Sequence, residues 1–278
     1  MVLIVYFALS LFAISPLLSP GFFPMHDDTQ VARIYEMAKA LSDGMFPVRW
    51  VEDLGYGFGY PIFNFYSILP YYIGGIITNL GIDVLSSTKV VFALALILSG
   101  ISMYVLVKQF FGKIPALASA IIYLYLPYHA VNTYVRGDLA EATAYAFLPL
   151  VFLSLFKVHE SKTFSKNYIV LGSLSIAAVI LSHNLSFLIL SIFVTIFILT
   201  SLILTKNKKN LVSFGLILVF SFLLSAFYAV PAIFEMQYTN IISIIGGGSD
   251  YRDHFICPLQ LWDSPWGFGG SAPGCIEG

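Results

Sequence analysis

The sequence predicts an all-α fold, a polytopic integral membrane helix bundle with a long first outer loop that carries amphipathic, juxtamembrane helices. Three observations lead there. Of the 278 residues, 58% are apolar and only 10% charged, where a soluble domain carries roughly a quarter charged. Phe occurs 25 times and Tyr 17 times, more apolar surface than a globule of this size hides from water. Apolar stretches of about 20 residues, the length that crosses a bilayer, recur along the chain. The net charge of −1 gives no basic footprint for nucleic acid. Two cysteines supply neither a four-ligand zinc site nor a disulfide framework.

Seven stretches read as spans: 1–19, 88–107, 114–130, 140–157, 167–183, 185–204 and 211–232. The first has no basic flank and no small-residue cleavage site, so it reads as a retained anchor and not a signal peptide. Residues 65–80 are apolar but short, and Pro70 and the pair Gly74–Gly75 interrupt them. They read as an interfacial or re-entrant segment inside an outer loop of residues 20–87. Eight of the 14 Lys and Arg fall in three short turns, at Lys108 and Lys113, at Lys157, Lys162 and Lys166, and at Lys206, Lys208 and Lys209. Such turns face the cytoplasm. Seven spans then place the N-terminus inside and the polar loops outside a plasma membrane. If 65–80 crossed, the N-terminus would be external instead. Residues 1–232 form one membrane module. Residues 233–278 form an extracytoplasmic loop that stops in mid-course at Glu277-Gly278, so a longer protein is expected.

The outer loop opens with His26-Asp27-Asp28-Thr29-Gln30. An amphipathic helix follows, with Val31, Ile34, Ala38 and Leu41 on one face and Gly44 just past its end. Asp28 or Thr29 caps this helix, and Asp27 favours its positive end. A second reading makes Asp27 a general base, held at the lipid–water boundary to take a proton from an acceptor hydroxyl. Beyond lies Arg49-Trp50, then Gly55 to Tyr66, where glycines alternate with aromatics. Tight turns laying aromatics on the interface explain that pattern better than a phosphate cradle does.

These residues carry a resemblance. His26-Asp27, Ala32-Arg33, Gly44 with Pro47-Val48-Arg49-Trp50, Gly57 to Tyr60, Phe63-Asn64-Phe65-Tyr66 and Leu69-Pro70-Tyr71-Tyr72 occur in order. Together they resemble the first outer loop of bacterial and archaeal membrane proteins labelled 6-pyruvoyl-tetrahydropterin synthase-related. The similarity runs on through Tyr134 to Pro149, Ser182-His183-Asn184 and His254 to Gly270. That family resembles in turn the GT-C glycosyltransferases, which use polyprenyl-phosphate-linked sugars. The resemblance implies a GT-C-like bundle with a catalytic acid in the first outer loop, Asp27 as the best match and Asp28 as the second. It implies substrate contacts at His26, Arg33 and Arg49. The pterin chemistry in the label has no counterpart here, because the soluble enzyme of that name resembles a zinc protein with clustered histidines. His26, His129, His159, His183 and His254 show no such clustering along the chain.

Three further outer features are candidates. Arg136-Gly137-Asp138 with Glu141 is either an ion-paired turn or, through Arg136, a holder of lipid phosphate. His183-Asn184 splits an apolar run and is either a turn or a substrate contact. In the tail, Trp262 and Trp266 flank Asp263 and are either ordinary interfacial aromatics or a platform that stacks on a sugar ring. Cys257 and Cys275, both external, are a possible disulfide. One His with two Asp is weak evidence for a metal, and no cofactor is expected.

The leading expectation is an inverting membrane glycosyltransferase. Its partners would be membrane lipid, a polyprenyl-phosphate sugar and an extracytoplasmic acceptor, with no nucleic acid. A non-catalytic protein of envelope assembly and a lipid or polysaccharide transporter are the alternatives. A transport path would more naturally place ionisable groups in mid-membrane.

Overall fold

The computed structural model describes residues 2–161 and 163–240. It is helical, and among the described residues no strand forms; one antiparallel bridge joins Val51 to Tyr60. The helices run α1 Val2–Ile14, α2 Gln30–Ser42, α3 Ile62–Phe65, α4 Leu69–Asn79, α5 Val84–Phe111 and α6 Lys113–Leu124. They continue as α7 Pro127–Val131, α8 Leu139–Tyr145, α9 Leu148–Glu160, α10 Lys166–Ser182, α11 Asn184–Thr205 and α12 Lys208–Glu235.

Seven spans are expected, and the helices meet that number only in part. Among the described residues four helices are long and apolar enough to cross a membrane: Val84–Phe111, Leu139–Glu160, Asn184–Thr205 and Lys208–Tyr238. A helix pair bent by 40°, Lys113–Leu124 with Pro127–Arg136, makes a fifth if the two halves cross as one span. Pro127 marks the break: it opens α7 at a position where its missing N–H costs nothing, and a proline drives the residue before it out of helical geometry, as at Leu126 with ψ 131°. The first and fifth expected spans are shorter apolar helices, Ile4–Leu18 and Lys166–Ser182. Pro16 ends the regular part of the first, and the extended backbone of His183 ends the second.

Starts and stops follow local chemistry. Asp83 caps α5 by accepting the Ser86 N–H at 2.9 Å, and Asn207 caps α12 by accepting from Lys209 at 3.0 Å. The expected cap of α2 is different. Thr29 holds the N-cap position in helical geometry and its side chain makes no capping bond. The turn before it is fixed from outside instead, by a partner segment described below. Gly44, at φ +82°, ends the helix as its sequence position implies.

Residues 65–80 contain α4, whose 11 residues extend about 16 Å, half the roughly 30 Å hydrocarbon core. The glycines that interrupt its apolar pattern have a packing reason. A Cβ on Gly74 would stand 2.5 Å from Cδ1 of Ile34, and one on Gly75 would stand 2.9 Å from Cγ of Met37 and 3.1 Å from the Ala38 nitrogen. Helix α2 therefore lies directly on α4, with Ile34 and Met37 fully buried between them.

Two apolar clusters organise the rest. One joins α1, α2, α4, α5 and α6 through Tyr6, Ile34, Tyr71, Phe92 and Leu124. The other joins α9, α10, α11 and α12 through Leu155, Ile176, Val194 and Ile217. Helix α11 leaves Leu188, Ile192, Ile196, Leu199 and Ile203 outward, a face suited to lipid. The basic turns meet at one end of the bundle. There Lys157 Nζ lies 5.3 Å from the Phe110 ring, His159 pairs with Ser201 at 2.7 Å, and Asn210 donates to the His159 carbonyl at 3.2 Å.

Because backbone as well as side chain faces Gly75, Gly75→Val is expected to destabilise the protein by about 1–3 kcal/mol, the usual cost of overpacking. A lowered melting temperature in detergent, with faster proteolysis near α2, is the readout.

Candidate functional site

At the end of the bundle opposite the basic turns, segments far apart in sequence converge. The N–H groups of His26 and Asp27 donate to the carbonyls of Val135 and Arg136 at 2.9 and 2.7 Å. The buried Gln30 amide donates to the Gly137 carbonyl at 2.8 Å, across 107 residues of sequence. Gly137 is left-handed at φ +70°, and a Cβ there would collide with Met25, so glycine alone lets the two segments approach this closely. This pairing fixes the turn before α2 and holds Asp27 against the Arg136 segment.

Two networks flank Asp27. In the first, Arg33 lies 4.2 Å above the Tyr66 ring and donates to the Tyr71 hydroxyl at 3.4 Å. Tyr71 in turn donates to Gln30 Oε1 at 2.6 Å. The Arg33 charge is opposed by burial but upheld by Tyr71, Tyr66 and Asp27, and its pKa rises above the usual guanidinium value. Burial likewise pushes the Tyr71 and Tyr66 phenols up, so both are donors at neutral pH.

The second network is built on Arg136. Its guanidinium pairs with Glu141 and, at 3.3 Å, with Asp138. It also donates to Tyr128 at 2.7 Å and Asn132 at 3.1 Å. Asp138, its side chain 6% exposed, caps α8 by accepting the Glu141 N–H at 2.9 Å. His183 brings Nε2 to within 3.8 Å of Asp138 while its Nδ1 accepts the Ser186 N–H that opens α11. The Arg136 turn is thus ion-paired, and Glu141 is engaged by Arg136, Tyr128 and Tyr145.

Six sequence candidates meet here: His26, Asp27, Arg33, Arg136, Glu141 and His183. His26 Nδ1 sits 3.2 Å from Asp27 Oδ1, with the two side chains 58% and 34% exposed. Asp28 is exposed beside them. Arg49 belongs elsewhere, 3.6 Å from Glu235, which also accepts from Asn64 at 2.6 Å. Trp262, Trp266, Cys257 and Cys275 lie outside the described residues. Among the described residues no three His, Cys, Asp or Glu side chains gather as a metal would require.

Asp138 belongs to the cluster as the ion-paired turn implies, while Gln30, Tyr66 and Tyr71 complete it without having been expected there. Gln30 carried a signal: it precedes Ile34, Met37 and Leu41 at helical spacing, a polar residue on an apolar face. The tyrosines were legible only as interfacial aromatics.

Residues 63–244 match the family model of the 6-pyruvoyl-tetrahydropterin synthase related domain, described as a membrane protein. The chain belongs to this family. The matched region takes in Tyr66, Tyr71, the Arg136 network and His183, and leaves out residues 26–60, so Asp27, Arg33 and Arg49 stand on geometry alone. An uncharacterized protein of Lactococcus lactis subsp. cremoris (strain MG1363) is 25% identical over 215 residues, covering 74% of this chain and 35% of that protein. The chain therefore spans about a third of that relative's length.

Burial raises the Asp138 carboxyl above its ordinary value of 3.8, although the Glu141 N–H, His183 and Arg136 pull against the shift. The folded protein then holds this proton to a higher pH than the unfolded chain does. The group's contribution to stability is greatest below the ordinary value and declines as pH rises through the interval up to the folded value. Asp138→Asn keeps the cap and removes that decline. Melting temperatures of both proteins across the acid range are expected to show the difference between them shrinking or reversing as pH rises.

Proposed function

We propose that this family member is a membrane glycosyltransferase that moves a sugar from a polyprenyl-phosphate donor to an extracytoplasmic acceptor. The observation that carries the reading is the joining of His26-Asp27 to the Arg136-Gly137-Asp138 turn and His183 at one end of the bundle. The resemblance of the outer loop to GT-C enzymes supplies the reaction class. The positive-inside rule places the basic turns in the cytoplasm and this cluster outside a plasma membrane.

In this mechanism the acceptor hydroxyl attacks the anomeric carbon, its proton passes to Asp27, and the polyprenyl phosphate departs with the bonding electron pair. Asp27 suits the task because it is partly exposed, fixed through its own backbone, and next to His26. Arg33 is the better phosphate contact of the two arginines. Among the described residues it forms no ion pair within 4 Å, whereas Arg136 is held by Glu141 and Asp138. Arg136 then positions the turn that holds Asp27, and the aromatic segment around Tyr66 and Tyr71 frames the lipid side. Asp28 serves as the neighbouring acid, and the acceptor approaches over His26 and His183.

The test is transfer by the complete protein, purified in detergent, from radiolabelled polyprenyl-phosphate sugars to an extract of membrane and wall. Asp27→Asn is expected to lose about 10²–10⁴ in rate while folding normally; unchanged transfer would remove Asp27 as the base. Arg33→Ala is expected to raise the donor KM roughly 10–100-fold, the worth of a hydrogen bond to a charged group. Absence of transfer from every donor by folded wild-type protein would overturn the reaction class.

A further inference from the structure

A separate cavity opens at the far end of α2, about three helical turns from Asp27. Its volume is about 330 Å³, and Glu36, Lys39, Asp43, Trp50 and Glu52 are among its lining residues. Glu36 is the unusual member. It is 3% exposed, and the Asp53 backbone N–H donates to its carboxyl. Its Oε2, however, is buried with no hydrogen-bond partner. A buried acceptor left unmade costs about 1–3 kcal/mol, more when charged. Burial accordingly holds the Glu36 pKa above the usual carboxylate value, with Asp53 and Glu52 adding to the shift and the Asp53 N–H and Lys39 opposing it.

The neighbouring cation does not answer this need. Lys39 Nζ is bound by both Asp53 oxygens at 2.9 Å and stands 3.4 Å from Glu52. Trp50 supplies a different surface. Gly59, at φ +82°, packs against the indole so closely that a Cβ would strike it, and the Val51–Tyr60 bridge fixes the loop behind it. Trp50 is nonetheless 46% exposed.

The cavity thus selects its occupant by elimination. Three carboxyls against one engaged ammonium repel an anion. The orphaned oxygen disfavours a purely apolar ligand and asks for an O–H or N–H donor. The half-open indole asks for a flat apolar face, and the volume falls at the small end of the range for ligand pockets. A sugar ring has both properties, hydroxyls around its rim and C–H groups on its face. We propose that this cavity is a saccharide-binding site in which Glu36 Oε2 accepts a sugar hydroxyl and Trp50 stacks on the ring. The site needs no reaction at Asp27 and stands whether or not sugar transfer occurs there.

Equilibrium binding to the full chain in detergent tests it, read by tryptophan fluorescence and calorimetry. The probes are neutral hexoses and disaccharides, glucuronate as the anionic analogue, and propylammonium as an N–H donor without a ring. Saturable binding of at least one neutral sugar is expected, with glucuronate at least tenfold weaker. Glu36→Gln and Trp50→Ala should each weaken that sugar tenfold or more at unchanged melting temperature, and Trp50→Tyr should restore most of the affinity. The proposal is overturned if no sugar binds folded protein, if both variants bind as wild type does, or if propylammonium binds and the sugars do not. Asp27→Asn should leave sugar binding unchanged, which separates this result from the fate of the transfer reaction.

Discussion

The pairing of residues 26–27 with residues 135–136 is the constraint on which this end of the molecule depends. Two backbone bonds and the Gln30 amide tie the start of α2 to the turn between the bent helix pair and α8. Backbone groups removed from water must find partners, and here each segment supplies what the other lacks. The turn before α2 is fixed without a side-chain cap, and Gly137 gains a donor for its carbonyl. Once the two are joined, α2 has only one direction to run. That direction lays it on α4, where Gly74 and Gly75 let the helices touch.

The same geometry separates two kinds of polar chemistry along one helix. Near its N-terminus, α2 presents Arg33 to Tyr66 and Tyr71 and follows Asp27 into a cluster rich in cations and phenols. Near its C-terminus it presents Glu36 and Lys39 to an acidic cavity walled by Trp50. A single 13-residue helix thus borders an arginine–tyrosine cluster on one stretch and an acidic, tryptophan-walled cavity on the next. Ile34 and Met37, fully buried against α4, anchor the helix that carries both.

Much of this was legible in the residues themselves. The amphipathic face of α2, its stop at Gly44 and the clustering of Lys in short turns all rest on local periodicity or composition. Asp27, Arg136 and His183 stood out as polar residues at the ends of apolar runs. What was illegible is non-local. The Gly74–Gly75 pair read as an interruption because nothing in the chain says which helix lies against it. Pro127 gave warning of a break but not of the bend. Thr29 looked like a cap because capping is usually a side-chain matter, whereas the partner that fixes this turn lies more than a hundred residues away.

By itself, then, the sequence determined the membrane character and the helical class and showed the clustering of basic residues in short turns, since each follows from composition and short-range spacing. The family membership rests on similarity spread over residues 63–244. Only the tertiary structure decided that Arg136 is committed to Glu141 and Asp138, that Arg33 lies over an aromatic ring without an ion pair among the described residues, and that Arg49 answers to Glu235. It alone set Glu36 beside Trp50 with an oxygen unpaired. An arginine's partner is fixed by what the fold brings within about 4 Å, where electrostatic pairing is strongest, and that distance is a property of packing and not of order along the chain.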